Sequence, residues 1–150
     1  MNWDAALNEE EGLLGIEGIL RDCNGQVIGT IQAKRRLKLS AYNGEAYAMM
    51  MSSIFFKELC VTKFILEGDA MQVVNLLNTP QTNWNYGGLL IKDAKQLIST
   101  FVEWTVVHTK REGNTAAHLL AQNAFLISED LYELEEDPLC VQHVVNNELL

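Results

Sequence analysis

The spacing of apolar and polar residues near the start of the chain is that of short β-strands. Residues 2–8, 15–21 and 27–33 are short segments with Ala, Ile, Leu or Val, and polar turn residues separate them. Asn24-Gly25 lies between the second and third segments, and Asn-Gly is typical of a tight β-turn. The pattern therefore predicts three strands, of which the last two form an antiparallel hairpin.

After this hairpin the apolar spacing lengthens to that of a helix. Apolar or small residues recur three or four positions apart from Tyr42 to Cys60, which predicts a helix over about 43–59. The elements predicted after it are a strand at 63–67, a short helix ending near Asn78, a helix at about 88–101, a strand at 103–108 and a helix at about 114–126.

The order of these elements predicts an α/β fold. Strands that follow helices favour parallel pairing through right-handed crossovers. We therefore expect a five-stranded mixed sheet, with the antiparallel hairpin at one edge, parallel strands in the remainder and helices on its faces. A chain of 150 residues fits one such domain, predicted at 1–128, followed by an acidic C-terminal tail at 129–150 whose apolar residues could dock onto it.

Three carboxylates stand at positions that suggest chemistry. Asp4 lies in the middle of a predicted strand, where Asp is disfavoured, Glu45 lies in the first turns of a helix, and Asp69 follows the fourth strand. If the first and fourth strands are parallel neighbours, these side chains meet at the carboxyl ends of the strands. Such oxygen ligands suit Mg²⁺ or Mn²⁺. Taken singly, each residue could instead begin a turn, face solvent on a helix or cap a helix.

The net charge of −9 argues against a strong nucleic-acid binder, but the acidity is uneven. Seven acidic and no basic residues follow position 128, which leaves 13 acidic and 11 basic residues before it, a formal charge of −2. The basic residues Lys34, Arg35, Arg36 and Lys38 form the candidate phosphate-binding patch. A solvated charged loop and a nuclear localisation signal are the alternatives for this run.

Nothing in the sequence predicts export or a membrane span. The apolar runs are far shorter than the ~20 residues that cross a bilayer, and the N-terminus lacks the pattern of a signal peptide. The three cysteines are far apart, which suits a reducing compartment. We therefore expect an intracellular protein, in the nucleus or the cytoplasm.

Five segments in order resemble the type-1 ribonuclease H family, particularly its plant reverse-transcriptase-like branch, which derives from retroelements. The segments are NWDAALN, GIEGILRDCNGQVIGT, EAYAMM, FILEGDAMQVVNLLN and VVHTKREGNTAAHLLAQNA. They run from about Asn2 to Leu126 and so cover most of the chain. The resemblance implies a ribonuclease H-like fold, and the chain's start almost on its first strand suggests a piece of a longer retroelement-derived protein.

The resemblance also assigns roles to the three carboxylates. Asp4, Glu45 and Asp69 match the first three members of the family's acidic quartet. The family reaction is two-metal hydrolysis of the RNA strand of an RNA–DNA hybrid, which leaves 5′-phosphate and 3′-hydroxyl ends. Mg²⁺ or Mn²⁺ is the implied cofactor.

The fourth acidic position holds a histidine. The family pattern N-x-x-A-D-x-L-A begins here at Asn114 and places His118 where the acid stands. A neutral imidazole can bind a divalent ion or position a water, but it prefers softer metals and brings no negative charge. We therefore expect a weakened second metal site, or alternatively a solvent-facing histidine in a decayed site.

A second histidine matches a position that bacterial members use. His108 lies ten residues before His118, and bacterial relatives carry a histidine at this spacing that assists proton transfer or product release. The alternative is a half-buried structural histidine at the end of a strand.

Three functions compete at this point. The first is a monomeric metal-dependent endoribonuclease acting on RNA–DNA hybrids, with weak, metal-assisted binding because the basic, Trp-containing helix of some bacterial members is missing. The second is a catalytically degenerate module that binds nucleic acid by its shape. The third is a protein-interaction domain that uses the acidic tail.

Overall fold

A computed structural model describes residues 1–81, 84–136, 138–139 and 141–144 of the chain. The strands are β1 (Asn2–Asn8), β2 (Leu13–Arg21), β3 (Val27–Arg35), β4 (Lys63–Gly68), β5 (Glu103–His108) and β6 (Leu131–Leu134). The helices are α1 (Ala41–Glu58), α2 (Met71–Asn78), α3 (Tyr86–Ile98) and α4 (Thr115–Asn123), and 3-10 turns at Arg111–Asn114 and Ala124–Leu126 flank α4.

The strands form one mixed sheet in the order β5-β4-β1-β2-β3-β6. The pairs β1–β2, β2–β3 and β3–β6 are antiparallel, whereas β1–β4 and β4–β5 are parallel. The C-terminal ends of β1, β3, β4 and β5 therefore lie at one side of the sheet, which we name the carboxyl edge.

The helices cover the two faces of the sheet unequally. Helix α1 packs on β1 and β2 with α3 beside it, and α4 packs on the same two strands from the other face. The larger core cluster includes the fully buried Trp3, Met49 and Phe56, and a smaller one joins Ile19 of β2 to Leu120 of α4. Full burial of such a side chain stabilises the fold by about 1.5–3 kcal/mol.

Helix α1 has clear start and stop signals. The Ser40 side chain accepts a hydrogen bond from the backbone N–H of Asn43, which caps the first turn. The helix ends where Cys60 adopts a left-handed backbone with φ 60°. This reversal directs the chain into β4.

The structure confirms the predicted α/β class but corrects the strand number from five to six. The additional strand, β6, lies within the segment predicted as an acidic tail and pairs with β3 from Gly29 to Gln32. The hairpin of β2 and β3 therefore does not form the outer edge of the sheet. Sequence periodicity missed β6 because it is only four residues long and mostly exposed.

Two predicted helix ends also differ from the structure. The helix predicted over 88–101 ends at Ile98, where the hydroxyls of Ser99 and Thr100 donate to carbonyls of the last turn. The helix predicted over 114–126 is α4 with a 3-10 turn at each end. In the part of the chain that the structure describes, no helix combines the length and the apolar character that a membrane span requires.

Candidate active site

Three carboxylates converge at the carboxyl edge. Asp4, Glu45 and Asp69 each place an oxygen within 4.8 Å of the others. Asn2 of β1 pairs with Glu67 of β4 in parallel register, so Asp4 and Asp69 stand at corresponding positions two residues further on. The structure thus brings together the three acids singled out in the sequence.

Glu45 reaches this cluster because α1 approaches the sheet closely at its first turns. Gly44 precedes it, and a Cβ at that position would lie 3.0 Å from Leu14 Cδ1 and 3.7 Å from the Cβ of Ala5. The missing side chain lets the start of the helix lie against β1 and β2. Glu45, the next residue, can then extend over the end of β1.

The environment of these carboxylates disfavours their charged forms. Burial raises the pKa of Asp4, which is 3% exposed, and the negative charge of Asp69 raises it further, while a hydrogen bond with His118 lowers it. Burial also raises the pKa of Glu45 well above its usual range, and the charges of Asp4 and Asp69 add to this. Three like charges at this distance therefore cannot all stay ionised without a compensating cation.

The cluster fits a hard divalent cation. Glu45 Oε2 is buried and has no hydrogen-bond partner among the described residues, although buried oxygens are normally paired. Together with the carboxylate oxygens of Asp4 and Asp69, this unpaired oxygen forms the all-oxygen donor set that such cations take. A bound ion would satisfy Glu45 Oε2 and neutralise much of the clustered charge.

His118 lies at the same site but belongs to the opposite face of the sheet. Its Nδ1 lies 2.8 Å from Asp4 Oδ2, and its side chain is 25% exposed. Its Nε2 lies 3.1 Å from Gln122 Nε2, and Arg111 Nη2 lies 3.2 Å from Nδ1 and 3.1 Å from Nε2. His118 is thus half-buried against Asp4, and both of its ring nitrogens have protein partners.

His108 stands beside Asp69 without touching its carboxylate. It pairs with Gly68 across β4 and β5, and its Nε2 lies 3.2 Å from the backbone carbonyl oxygen of Asp69. The ring is exposed at the carboxyl edge. This exposure does not fit the alternative of a half-buried structural histidine, and a role in proton transfer remains a prediction.

The predicted phosphate patch divides into two parts. Lys34 Nζ donates to the carbonyls of Phe125 and Ile127 at 3.1 and 2.6 Å, and Arg35 binds both carboxylate oxygens of Asp130 at 2.6 and 2.7 Å. These two residues hold the C-terminal segment against β3. The other two cations of the run, Arg36 and Lys38, are exposed beyond the end of β3.

Glu17 is a buried acid that sequence analysis did not single out. It pairs directly with Asp4 on β1 and with Gln32 on β3, and it has no accessible surface. Both carboxylate oxygens lack a hydrogen-bond partner among the described residues. Burial raises its pKa well above the usual range, and the charge of Asp4 raises it further. Its sequence signal is an acid inside the apolar segment GIEGILR.

Asn114 fixes the position of α4 and hence of His118. Its side-chain amide donates to the backbone carbonyl of Trp3 at 3.0 Å and accepts from Asn2 Nδ2 at 3.2 Å. The residue is 1% exposed. These bonds tie the start of α4 to β1 beside Asp4, so that His118, one turn later, can reach the carboxylate.

Sequence comparison places these residues in a known context. A family model described as reverse transcriptase-like matches residues 2–124. A protein of Arabidopsis thaliana named "Putative ribonuclease H protein" is 26% identical over 152 residues, a match that covers 100% of this chain. The chain spans only 24% of the length of that relative.

Solved structures show the same fold. RNase H1 from the halophilic archaeon Halobacterium salinarum matches with a TM-score of 0.75 and 18% identity, covering 83% of this chain and 94% of that chain. The N-terminal RNase H domain of a Mycobacterium tuberculosis protein, solved as a fusion with maltose-binding protein, matches with a TM-score of 0.72 and 19% identity. That match covers 81% of this chain and 88% of the solved one. At these identities the likeness shows a ribonuclease H-like fold.

Proposed function

Since the chain belongs to the reverse transcriptase-like family, we propose that it is a metal-dependent endoribonuclease that hydrolyses the RNA strand of RNA–DNA hybrids. The observation that carries this proposal is the convergence of Asp4, Glu45 and Asp69 within 4.8 Å at the carboxyl edge of a ribonuclease H-like fold. Functional groups of open α/β sheets collect at this edge. The chain acts as a monomer in this proposal.

The three carboxylates hold the cofactor, Mg²⁺ or Mn²⁺. When bound, such ions lower the pKa of the attacking water and polarise the phosphodiester, and a second ion stabilises the leaving oxygen. Asp4 lies between two sides of the site, with Glu45 and Asp69 on one side and His118 on the other. Because His118 brings no negative charge, its side of the site offers a second ion weaker binding than the other side offers the first.

Other residues of the carboxyl edge assist proton transfer and bind the substrate. In this proposal His108, which is exposed beside Asp69, carries protons to or from the solvent. The exposed Arg36 and Lys38 contact phosphates of the hybrid. Preference for an RNA-containing duplex then comes from its shape and its 2′-hydroxyl groups.

Cleavage of an end-labelled RNA–DNA hybrid in Mn²⁺ and then in Mg²⁺ tests the proposal. We expect the wild type to cut, and we expect Asp69→Asn to lower the rate by about 100-fold or more, since loss of outer partners of metal ligands alone costs 10–100-fold. Asp93→Asn removes the same charge from an exposed position on α3 and should cut like the wild type. A gain of rate in His118→Asp would measure what the histidine costs.

The second candidate is a catalytically degenerate module that binds nucleic acid. Both ring nitrogens of His118 have protein partners, which favours this candidate. A site that lacks a metal ligand loses its catalytic activity while the fold is retained. This candidate predicts that the hybrid binds equally well to the wild type and to Asp69→Asn. A wild type that does not cut, beside a His118→Asp variant that does, would select this second candidate. If neither folded protein cuts, the catalytic proposal is excluded.

A further inference from the structure

A positively charged side chain lies where a second metal ion would be expected. Arg111 Nη2 lies 3.1 and 3.2 Å from the two ring nitrogens of His118, so the guanidinium lies against the imidazole. His118 in turn bonds Asp4 at 2.8 Å. Arg111 begins the 3-10 turn before α4, so its side chain belongs, like His118, to the face of the sheet opposite α1 and Glu45.

His118 cannot serve as a metal ligand in this arrangement. Its Nδ1 lies 2.8 Å from Asp4 Oδ2. Its Nε2 faces the side-chain amide of Gln122 and the guanidinium of Arg111. A metal needs a ring nitrogen with free access, and protein partners occupy both nitrogens.

The local charge also opposes a second ion. The acidic group that could hold a cation among the described residues consists of Asp4, Glu45 and Asp69, and the imidazole of His118 lies between this group and Arg111. On the His118 side of Asp4 the imidazole adds no negative charge. A divalent cation bound beside His118 would be repelled by the positive charge of Arg111, which lies against the same imidazole.

We infer that this site takes a single divalent ion, and that the Arg111 guanidinium supplies the positive charge that faces the substrate phosphate on the side of His118. This inference rests on the proposed function. The Arg111 guanidinium would take the place of the second ion in that reaction. A guanidinium suits this role because it is always charged and binds phosphate oxygens through two parallel N–H groups.

The geometry leaves Arg111 able to bind a phosphate. The residue is exposed, and its side-chain contacts within the described part of the chain run through Nη2. Nε and Nη1 therefore remain for an anion. Lys110 is an equally exposed cation next to Arg111 and makes no contact with His118, so it provides a matched control.

Metal stoichiometry is the first test, and it needs neither substrate nor activity. Calorimetric titration of the metal-free protein with Mn²⁺ should give one ion per chain for the wild type and for Arg111→Ala. His118→Asp combined with Arg111→Ala restores a carboxylate and removes the cation, and it should bind two. Two ions of comparable affinity in the wild type would overturn the inference.

The second test separates a phosphate contact from a structural role of Arg111. In the cleavage assay we expect Arg111→Ala to lower kcat/KM by about 100-fold, the loss typical of one charge-stabilising donor, Arg111→Lys to recover part of it, and Lys110→Ala to stay within about twofold. The rate should rise with Mn²⁺ concentration along a simple hyperbola. Equal losses in Arg111→Ala and Lys110→Ala would reject a specific role for Arg111.

The two proposals can fail separately. If the wild type does not cut, the proposed function fails, and binding of an uncut hybrid in the presence of Mn²⁺ then tests Arg111. Weaker binding by Arg111→Ala than by Lys110→Ala, together with one Mn²⁺ per chain, would support the present inference. Equal binding by both variants would reject it.

Discussion

Glu17 is a carboxyl group placed where its charged form is unfavourable. It has no accessible surface, and both of its oxygens lack hydrogen-bond partners among the described residues. Burial is the main reason that its pKa is raised, and the charges of Asp4 and Glu45 add to it, while Arg21 and the Met1 amino group lower it. The neutral acid is therefore the form that this position accommodates.

This environment predicts a stability that depends on pH. The folded protein keeps a proton on Glu17 that the unfolded chain releases, so the free energy of unfolding falls as pH rises from the ordinary pKa through the raised one. Glu17→Gln is a neutral mimic of the protonated acid. Urea unfolding of both proteins at about pH 5 and about pH 8 measures this dependence. Between the two pH values the variant should lose less stability than the wild type. At the higher pH its free energy of unfolding should exceed that of the wild type by about 1.4 kcal/mol per unit of pKa shift.

The comparison isolates Glu17 from other groups. The Met1 amino group, whose pKa burial lowers to about 6, titrates in both proteins, and the variant lacks only the contribution of the Glu17 charge to that pKa. Glu10→Gln removes an exposed acid and should keep the wild-type dependence. If the pH dependence of Glu17→Gln equals that of the wild type, Glu17 is not the source of it.

At the residue scale, the sequence marks an acid as a candidate site residue only where the acid stands at an unusual position. Asp4 in mid-strand and Asp69 after a strand have such positions, and topology then brings them together. Lys34 and Arg35 show the limit, because their partners lie more than 90 residues away and only the folded chain brings them into contact. A basic run in a sequence therefore does not show which of its charges are free for a ligand.

At the element scale the periodicity predicts each strand that the core requires. The predicted fifth strand at 103–108 coincides with β5, and the predicted strands 2–8 and 27–33 begin where β1 and β3 begin. β6 could not be predicted because little of its stabilisation is local. It depends on pairing with β3 and on the bidentate contact of Arg35 with Asp130.

The end of β4 gives a prediction about how an element positions the site. Gly68 lies against the indole of the fully buried Trp3, and an added Cβ would overlap the ring. We expect Gly68→Ala to destabilise the protein by about 1–3 kcal/mol, because a rigid aromatic ring cannot yield in a packed core. The displaced β4 should also move Asp69, so Mn²⁺ affinity should fall, as measured by calorimetric titration.

A second strand glycine provides the control for this prediction. A Cβ at Gly29 of β3 would lie 3.2 Å from a methyl group of Leu134 and 3.3 Å from the carbonyl oxygen of Glu133, far from the three carboxylates. Small movements of the exposed β6 can relieve these contacts. Gly29→Ala should therefore keep the Mn²⁺ affinity of the wild type, and an equal loss in both variants would mean that the effect is not specific to Asp69.

For the whole molecule, the distribution of charge decides how a chain with a net charge of −9 could bind a polyanion. Lys34 and Arg35 are engaged within the fold, and Lys63 pairs with Glu103. Arg36 and Lys38 follow β3, and Arg111 follows β5, so these three cations lie near the carboxyl edge. A bound metal ion would in addition neutralise part of the acidic cluster.

This small number of cations predicts a shallow salt dependence of hybrid binding. With three phosphate contacts, the logarithm of the association constant should fall with the logarithm of salt concentration with a slope of about −2 to −3. Arg36→Ala combined with Lys38→Ala should reduce the slope by about 2, whereas Lys57→Ala, at the opposite end of α1, should leave it unchanged. Fluorescence anisotropy in the Asp69→Asn background keeps the hybrid uncut during the measurement. An unchanged slope in the double variant would show that the hybrid does not cross this part of the edge, and that Arg111 carries the contact without Arg36 and Lys38.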